Sequence, residues 1–129
     1  MKTKGKGYRR VTWDTLKDYP GEKSRIYSGP LAVENFAFII NRQLPGQTGT
    51  NHKHDIAEEV YLVLQGKGTL NVDGEDIEMG VWDSVRVEPG VMHMSSNKTD
   101  EDVYWLAMAA PVGEFLEFDA VAYGPPKDD

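Results

Sequence analysis

The stretch GQTGTNHKHDIAEEVYLVLQG, residues 46–66, decides how this chain is interpreted. It contains two of the three histidines, His52 and His54, shortly before the adjacent Glu58 and Glu59, and a mostly apolar run follows and ends in glycine. Side chains two positions apart on an extended strand leave the same face. His52 and His54 are therefore expected to project together, either into solvent at the start of a strand or toward a bound group.

The composition limits the possible classes of protein. A chain of 129 residues is long enough for one domain with its own core. It contains no cysteine, which excludes disulfides, a thiolate zinc site and a thiol nucleophile, and permits a reducing compartment. No apolar run has the length of a membrane span, and no hydrophobic segment follows the basic N-terminus as it would in a secretory signal. These features predict a soluble, cytoplasmic protein.

The charge is unevenly distributed along the chain. The first ten residues carry five lysines and arginines and no acid, so the net charge of −7 leaves −12 on the remainder. An acidic body repels phosphate groups, and nucleic acid is therefore not an expected partner. The basic terminus is expected to be a solvated and frayed end.

Short apolar runs punctuated by glycine and proline are typical of all-β sandwiches and barrels. Asp73-Gly74, between two such runs, predicts a type I′ hairpin, since both central residues of that turn need a positive φ. The run 59–65 is apolar at most positions, which predicts a strand covered on both faces. The expected strands occupy residues 31–44, 59–65, 68–72, 75–79, 83–87, 93–97, 102–109 and, as a last edge strand, 113–118. So many short strands predict a closed barrel or a two-sheet jelly roll.

The residue types in the opening stretch suit a metal. On a strand that begins at Glu59, the side chains of Glu59 and Tyr61 share one face. Imidazole and carboxylate are both good ligands for a first-row divalent ion, and two imidazoles with one carboxylate can occupy one face of an octahedron. The third histidine, His93, begins another strand after the Pro89-Gly90 turn. Spacing alone does not bring His93 to the other two, and exposed histidines at strand starts remain the alternative.

Two segments resemble the motifs of the cupin family. The first motif is matched without a gap by Gly46, five residues, His52-Lys53-His54, four residues, Glu59, six residues and Gly66. The second is similar to Pro89-Gly90, two residues, His93, three residues and Asn97. The interval between them, filled by the predicted hairpin, has the length found in small cupins. The resemblance covers about 50 residues, and the predicted strands are compatible with it over most of the rest of the chain.

The resemblance implies a double-stranded β-helix, or jelly-roll, barrel with one divalent transition metal in its mouth. The family's ligands fall on His52, His54, Glu59 and His93, and the spacing to Gly66 selects Glu59, with Glu58 facing outward. Iron, manganese, nickel, cobalt, copper and zinc all suit such a ligand set.

The resemblance also gives an expected organisation of the chain. Residues 1–23 are expected to form an N-terminal arm, 24–119 the cupin barrel and 120–129 a loose tail. Barrels of the family often pair through an outer sheet, which implies a homodimer in which the strand near residues 24–28 takes part.

The second motif departs from the family pattern at two turn positions. Trp82-Asp83 stands where the family usually has Gly-Asp, and Glu88 stands where it usually has proline. These positions shape turns and do not bind metal, so the ligand assignment is unaffected. The turn before the strand at 83–87 is expected to be built differently from that of the family.

Several further side chains are candidates for the interior. Tyr61 is a tentative catalytic residue, as a proton donor or as a hydrogen-bond partner of a ligand, and a packed barrel residue is an equal alternative. Arg42 and Gln43 lie on opposite faces of one strand, and an inward Arg42 would indicate a carboxylate or phosphate on the substrate. Five apolar side chains could line a pocket, although packing in the core is the default prediction for each: Phe36, Phe38, Met92, Met94 and Trp105.

Three functions are compatible with these residues. The leading hypothesis is a mononuclear metal-dependent enzyme acting on a small organic molecule, with dioxygenase chemistry favoured if the metal is iron or copper. The second is a Lewis-acid isomerase, cyclase or decarboxylase, which needs a proton carrier near the metal and has Tyr61 as its candidate. The third is a non-catalytic barrel that binds a sugar or another metabolite, which ligand-dependent melting without turnover would distinguish.

Overall fold

The computed structural model describes residues 4–12, 24–26, 31 and 33–111. The strand predicted at 113–118, the tail at 120–129 and much of the N-terminal arm lie outside these ranges. No helix in the described part of the chain is long and apolar enough to cross a membrane. The described residues form ten strands: β1 Lys4–Gly5, β2 Tyr8–Arg9, β3 Ser24–Ile26, β4 Ala37–Gln43, β5 Glu58–Gln65, β6 Gly68–Val72, β7 Glu75–Met79, β8 Ser84–Val87, β9 His93–Ser96 and β10 Val103–Ala110.

Two antiparallel sheets carry the structure. The larger has five strands in the order β3-β4-β10-β5-β8, and the smaller has three in the order β7-β6-β9. The inner faces of both sheets contribute to one hydrophobic core, which joins Tyr61, Val63 and Trp105 of the larger sheet to Leu70 and Met79 of the smaller. The prediction of an all-β jelly roll is confirmed.

Trp105 and Gly68 pack closely where the two sheets meet. Trp105 is fully buried on β10. A Cβ built on Gly68, the first residue of β6, would overlap the Trp105 indole ring. Only glycine lets the β6 backbone approach the ring this closely.

The hairpin between β6 and β7 has the predicted turn. Asp73 and Gly74 have φ values of 49° and 87°, both positive as a type I′ turn requires. The Asn71 side-chain oxygen accepts the Gly74 N–H at 3.1 Å, and the Asn71 amide donates to Asp76 at 2.8 Å. The prediction from Asp73-Gly74 is confirmed.

The turn from β7 to β8 spans residues 80–83 and has an unusual backbone. The Asp83 N–H donates to the Gly80 carbonyl at 3.0 Å, and Trp82 has a φ of 72°. A positive φ at the third position of such a turn is the type II pattern, which normally requires glycine. The turn is thus built with a tryptophan in the left-handed region.

Three expectations about local structure need correction. The strand predicted at 31–44 begins only at Ala37, because the exposed polar pair Glu34-Asn35 forms a bend. The basic terminus is not frayed throughout, since β1 and β2 pair around Gly7, whose φ is 83°. β5 is not covered on both faces, because one face of its antiparallel sheet packs on the core and the other is partly open, with Val60 39% exposed.

The two edges of the smaller sheet differ. The chain after β4 runs along β9: the Gly46 N–H donates to the Asn97 carbonyl at 2.9 Å and the Gly49 N–H to the Ser95 carbonyl at 2.8 Å. This segment therefore covers the β9 edge and carries His52 toward the start of β9. At the opposite edge, β7 presents exposed carboxylates at Glu75, Asp76 and Glu78.

Candidate metal centre

Four side chains from three parts of the chain meet at one end of the two-sheet core. His52 comes from the segment that runs along β9, His54 follows two residues later, Glu59 lies on β5 and His93 begins β9. One ligand atom from each lies within 4.8 Å of the others, and a group of this kind could hold one metal ion. The fold thus supplies the proximity of His93 that sequence spacing could not.

His52 and His93 are fixed by direct backbone pairing. The His52 N–H donates to the His93 carbonyl at 3.0 Å, and the His93 N–H donates to the His52 carbonyl at 2.8 Å. His54 lies outside any strand, and its carbonyl accepts the Gly90 N–H at 2.7 Å. His52 and His54 were expected on one continuous strand. Instead, His52 forms only an isolated bridge, and its partner is His93. The rings of His52 and His54 nevertheless lie 4.9 Å apart.

Backbone carbonyls orient two of the imidazole rings. His52 Nδ1 lies 2.6 Å from the Thr50 carbonyl oxygen, and His93 Nδ1 lies 2.9 Å from that of Val91. A carbonyl oxygen only accepts hydrogen bonds, so each Nδ1 carries the proton. Each Nε2 is thereby left to act as a ligand, an arrangement common around protein-bound metals.

Glu59 lies between the histidines. Its Oε1 is 2.9 Å from His93 Nε2 and 3.4 Å from His54 Nε2, and the residue is 4% exposed. Without an ion, the short contact to His93 requires a proton on Nε2, and a divalent cation would take the place of that proton. Three imidazoles and a buried carboxylate around one point fit a first-row metal.

The electrostatics of the cluster favour an ionised Glu59. Burial raises the pKa of Glu59, but hydrogen bonds from His54, His93 and Tyr61 outweigh it and lower the pKa to about 2. For His93, burial lowers the pKa, but the hydrogen bonds to Glu59 and to the Val91 carbonyl raise it overall. Burial is the main cause of a lowered pKa at His52.

The two adjacent glutamates have different surroundings. Glu58 faces outward, as predicted, and accepts a hydrogen bond from Arg86 Nε at 2.7 Å. Its side chain is 54% exposed, whereas that of Glu59 is 4% exposed. The period of two along β5 is the physical reason, because successive side chains point to opposite faces of a sheet.

Tyr61 lies behind Glu59 on the inner face of β5. It is 7% exposed, and its hydroxyl group donates a hydrogen bond to the Glu59 carboxylate. Burial, followed by the negative charge of Glu59, raises the pKa of Tyr61 well above its usual value. Its ring packs edge-on against His93 and Trp105, with centroids 5.7 Å and 6.0 Å away.

Of the pair at the end of β4, Gln43 faces inward. Gln43 is 3% exposed, donates to Ser95 Oγ at 2.9 Å and accepts from Trp105 Nε1 at 2.8 Å. Arg42 faces outward and pairs with Asp102 at 2.7 Å. An inward Arg42 would have indicated a carboxylate or phosphate on the substrate. Because Arg42 faces outward, it gives no such indication. The chain of hydrogen bonds through Gln43 was not predicted, and neither were the Thr50 and Val91 carbonyls, since backbone groups leave no mark in a sequence.

The default prediction of core packing holds for only some of the five apolar side chains considered for a pocket. Trp105 is fully buried in the core. Met92 is 37% exposed, so the default of core packing is wrong for this residue, which alternates with the inward His93. The remaining three side chains are partly buried: Phe36, Phe38 and Met94.

A comparison with protein families agrees with the jelly-roll fold and with the position of the four-residue cluster. The family described as "Cupin domain" matches residues 42–109, more than half of the chain. The chain belongs to the cupin family. The match includes all four residues of the cluster, and the small-cupin resemblance seen in the two motifs is thereby confirmed.

Similar cupins are found both by sequence and by structure. The oxalate-binding protein of Thermotoga maritima is 30% identical over 104 residues, which cover 76% of this cupin and 86% of that protein. A cupin protein from Bacteroides fragilis aligns with a TM-score of 0.70 at 25% identity, over 83% of this chain and 86% of that one. A double-stranded β-helix protein from Klebsiella pneumoniae aligns with a TM-score of 0.66 at 17% identity, over 80% and 90% of the two chains.

Proposed function

We propose that this cupin holds one divalent transition metal through His52, His54, Glu59 and His93, and that it is a metal-dependent enzyme acting on a small organic molecule. The observation that carries the proposal is the orientation of the rings. Both His52 and His93 donate from Nδ1 to backbone carbonyls, so Nε2 is left as the ligand atom of each ring, and that of His93 lies 2.9 Å from Glu59 Oε1. Such outer hydrogen bonds are typical of imidazoles that bind metal.

The substrate we propose is a small chelating molecule. Four protein ligands leave two positions of an octahedron, which suits two oxygen donors of one organic acid or hydroxycarbonyl compound. The relative from Thermotoga maritima is named for binding oxalate, the smallest dicarboxylate able to chelate in this way. Arg42 is engaged with Asp102 on the outer face, so chelation rather than Arg42 would hold the acid group.

We propose dioxygenase chemistry when the metal is iron or copper. The bound ion would supply redox activity toward dioxygen, both atoms of which enter the organic product. The protein's own contribution is to hold the ligands and exclude water. Glu59 and His93 are 4% and 1% exposed, so the inner side of the centre is dry.

Tyr61 is proposed to position Glu59 rather than to exchange protons with the substrate. Its hydroxyl group is engaged with the Glu59 carboxylate and is buried. This arrangement weakens the Lewis-acid alternative, which depended on Tyr61 as its proton carrier. A non-catalytic binding role remains the second candidate, and the name of the oxalate-binding relative is the observation that favours it.

A homodimer is also proposed. β3 is the end strand of the larger sheet in the described part of the chain, and a free sheet edge can pair with a second copy. Light scattering on the purified protein would then give twice the 14.5 kDa mass of the chain. A monomeric mass at all concentrations would contradict it.

The first experiment is metal analysis of the untagged protein by mass spectrometry. Stoichiometric metal is expected in the native protein and in the control variants Lys53→Ala and Glu58→Gln, whose side chains point away from the cluster. It should be lost in His52→Ala/His54→Ala and in Glu59→Gln. Metal retained by those two variants would overturn the ligand assignment.

Reaction type is tested by oxygen uptake. The iron- or copper-loaded protein is supplied in turn with oxalate and with small hydroxycarbonyl acids. Incorporation of both atoms of ¹⁸O-labelled dioxygen into the organic product supports the dioxygenase, whereas oxygen consumption with release of hydrogen peroxide, the outcome open to oxalate, would indicate an oxidase instead. A ligand that raises the melting temperature yet is recovered unchanged, with no oxygen consumed, favours the binding role.

A further inference from the structure

Trp82 combines backbone strain with exposure to solvent. Its φ of 72° lies in the left-handed region, and its side chain is 72% exposed. The preceding Val81 is also exposed, at 47%. A left-handed conformation is unfavourable for a bulky residue, and no burial of the ring compensates for it. Strain of this kind persists where it serves a function, and glycine would be the stable choice.

The backbone holds the Trp82 turn rigidly in place. The Trp82 N–H donates to the Val63 carbonyl at 2.8 Å, and the Asp83 carbonyl accepts the Val63 N–H at 3.2 Å. At the start of the turn, the Gly80 N–H donates to Asp83 Oδ2 at 2.8 Å. The indole ring is therefore presented from a fixed platform, which lowers the entropy lost when a ligand binds.

A groove of about 470 Å³ lies beside this turn, and Gly80 is part of its wall. Trp82 follows Gly80 by two residues in a turn whose first and fourth Cα atoms lie within about 7 Å of each other, so its backbone lies beside the groove wall. The groove is lined by Lys67, Gly68, Thr69, Glu78, Met79, Gly80, Lys98 and Thr99. Its volume is in the range of small-molecule sites.

The charges around the groove are balanced. Lys67 and Lys98 are opposed by Glu78 in the lining and by Asp76, which accepts from Lys98 Nζ at 2.9 Å. Two cations and two anions give no net field for a phosphate or a carboxylate. The lining also offers the hydroxyl groups of Thr69 and Thr99. An uncharged ligand rich in hydroxyl groups fits this set, and an exposed indole is a suitable surface for the apolar face of a sugar ring.

We infer that the groove and Trp82 together form a binding site for a neutral saccharide. The site is separate from the metal centre. Gln65, at the end of β5 before the groove residues Lys67 and Gly68, is six positions beyond Glu59, roughly 20 Å along a strand, and Val63, which pairs with Trp82, is four positions beyond it, roughly 13 Å. The inference therefore does not depend on the proposed metal chemistry.

The test is a nuclear magnetic resonance titration of the full ¹⁵N-labelled protein with lactose, maltose and cellobiose in turn. Saturable shifts are expected at the Trp82 indole N–H and at the amides of Gly68, Gly80 and Thr99 for at least one of the three. The Trp82 indole signal is identified by its absence from Trp82→Gly. His52→Ala/His54→Ala should bind with unchanged affinity, since the metal centre is distant.

Variants separate a binding role from a structural one. Trp82→Gly is expected to raise the melting temperature, by removing the strain, and to lower saccharide affinity at least tenfold. Trp82→Tyr keeps an aromatic face and should retain most of the affinity, whereas Lys67→Ala should weaken it and the remote Lys53→Ala should not.

Three results would overturn the inference. The first is the absence of shifts at the groove with all three disaccharides. The second is a Trp82→Gly protein that binds as the native one does or melts at a lower temperature. The third is saturable binding of inorganic phosphate, tested as a competing probe, at the same residues, which would show that the groove prefers anions.

Discussion

At the scale of single residues, the candidate centre depends on groups that do not themselves form part of the ligand set. The Thr50 and Val91 carbonyls fix the tautomer of His52 and His93, and Tyr61 fixes the Glu59 carboxylate. The sequence could suggest the four ligands through their spacing. It could not reveal the carbonyls, because every residue carries one and only the fold selects those that matter.

Replacing Tyr61 by phenylalanine removes one hydrogen bond to Glu59 and leaves the ring. Metal affinity is expected to fall about 10- to 100-fold, the usual cost of losing an outer partner of a ligand. The electronic spectrum of the cobalt-loaded protein should change as well, because Glu59 can turn. Competition with a chelator gives the affinity. The exposed Tyr8→Phe is the control, and equal affinities for the two variants would rule out the positioning role.

The metal-free protein should lose stability in acid through Glu59. Its pKa is lowered from 4.5 to about 2 in the folded state, so the unfolded chain binds the proton more tightly. The stabilisation is complete above pH 4.5 and is lost as the pH falls through about 2, for a total of about 3 kcal/mol by linkage. Urea unfolding of the native protein and of Glu59→Gln across this interval checks it. Parallel pH dependences would contradict the prediction.

At the scale of elements, the close contact of β6 with β10 sets the separation of the two sheets on the groove side. Gly68 lies directly against the Trp105 ring, and Trp105 in turn donates to the inward Gln43 of β4. The contacts of the Trp105 ring therefore fix the relative positions of three strands, β4, β6 and β10.

Adding a methyl group at Gly68 should disrupt this contact. Gly68→Ala is expected to lower the free energy of unfolding by about 2–3 kcal/mol, because the indole must move within a packed core. Gly80→Ala is the matched control, since a Cβ there would meet its nearest neighbour, Asp83 Oδ2, at 3.7 Å, an ordinary contact. Denaturant midpoints measure both, and similar midpoints would show that the core accommodates the methyl group.

Much of this architecture could be predicted from local signals. Asp73-Gly74 identifies the hairpin since its turn requires a specific backbone, and the alternation of Val85 and Val87 identifies β8. The start of β4 and the exposed face of β5 could not be predicted from the apolar runs. Both depend on which layer packs against a strand, and hydrophobicity alone does not record that. His93 shows the same limit, because its place beside His52 depends on the pairing of distant segments.

At the scale of the whole molecule, the four-residue cluster ties the segment before β5 to both sheets. His52 and His54 belong to that segment, Glu59 to the larger sheet and His93 to the smaller. An ion bound by all four would cross-link them, and its binding energy would become folding energy.

Metal binding is therefore expected to stabilise the whole fold. At a free metal concentration about a hundred times the Kd, the gain is about 2.7 kcal/mol, a rise in Tm on the order of 10 °C. Calorimetry of the metal-free and metal-loaded protein measures it, with His52→Ala/His54→Ala as the variant that should not respond. An unchanged Tm in the native protein would contradict the link between the site and the fold.

The acidic edge at β7 bears on how the protein behaves in concentrated solution. A sheet edge with unpaired backbone groups is a template for aggregation, and charged side chains are a common protection against it. The exposed Glu75 and Glu78 would approach carboxylates of the second copy if two β7 edges met, whereas Asp76 is paired with Lys98. Since like charges directly opposite are unfavourable, this edge rejects a second molecule at neutral pH. Glu75→Gln/Glu78→Gln, which removes two of these charges, should therefore make the folded protein prone to edge-to-edge aggregation at neutral pH.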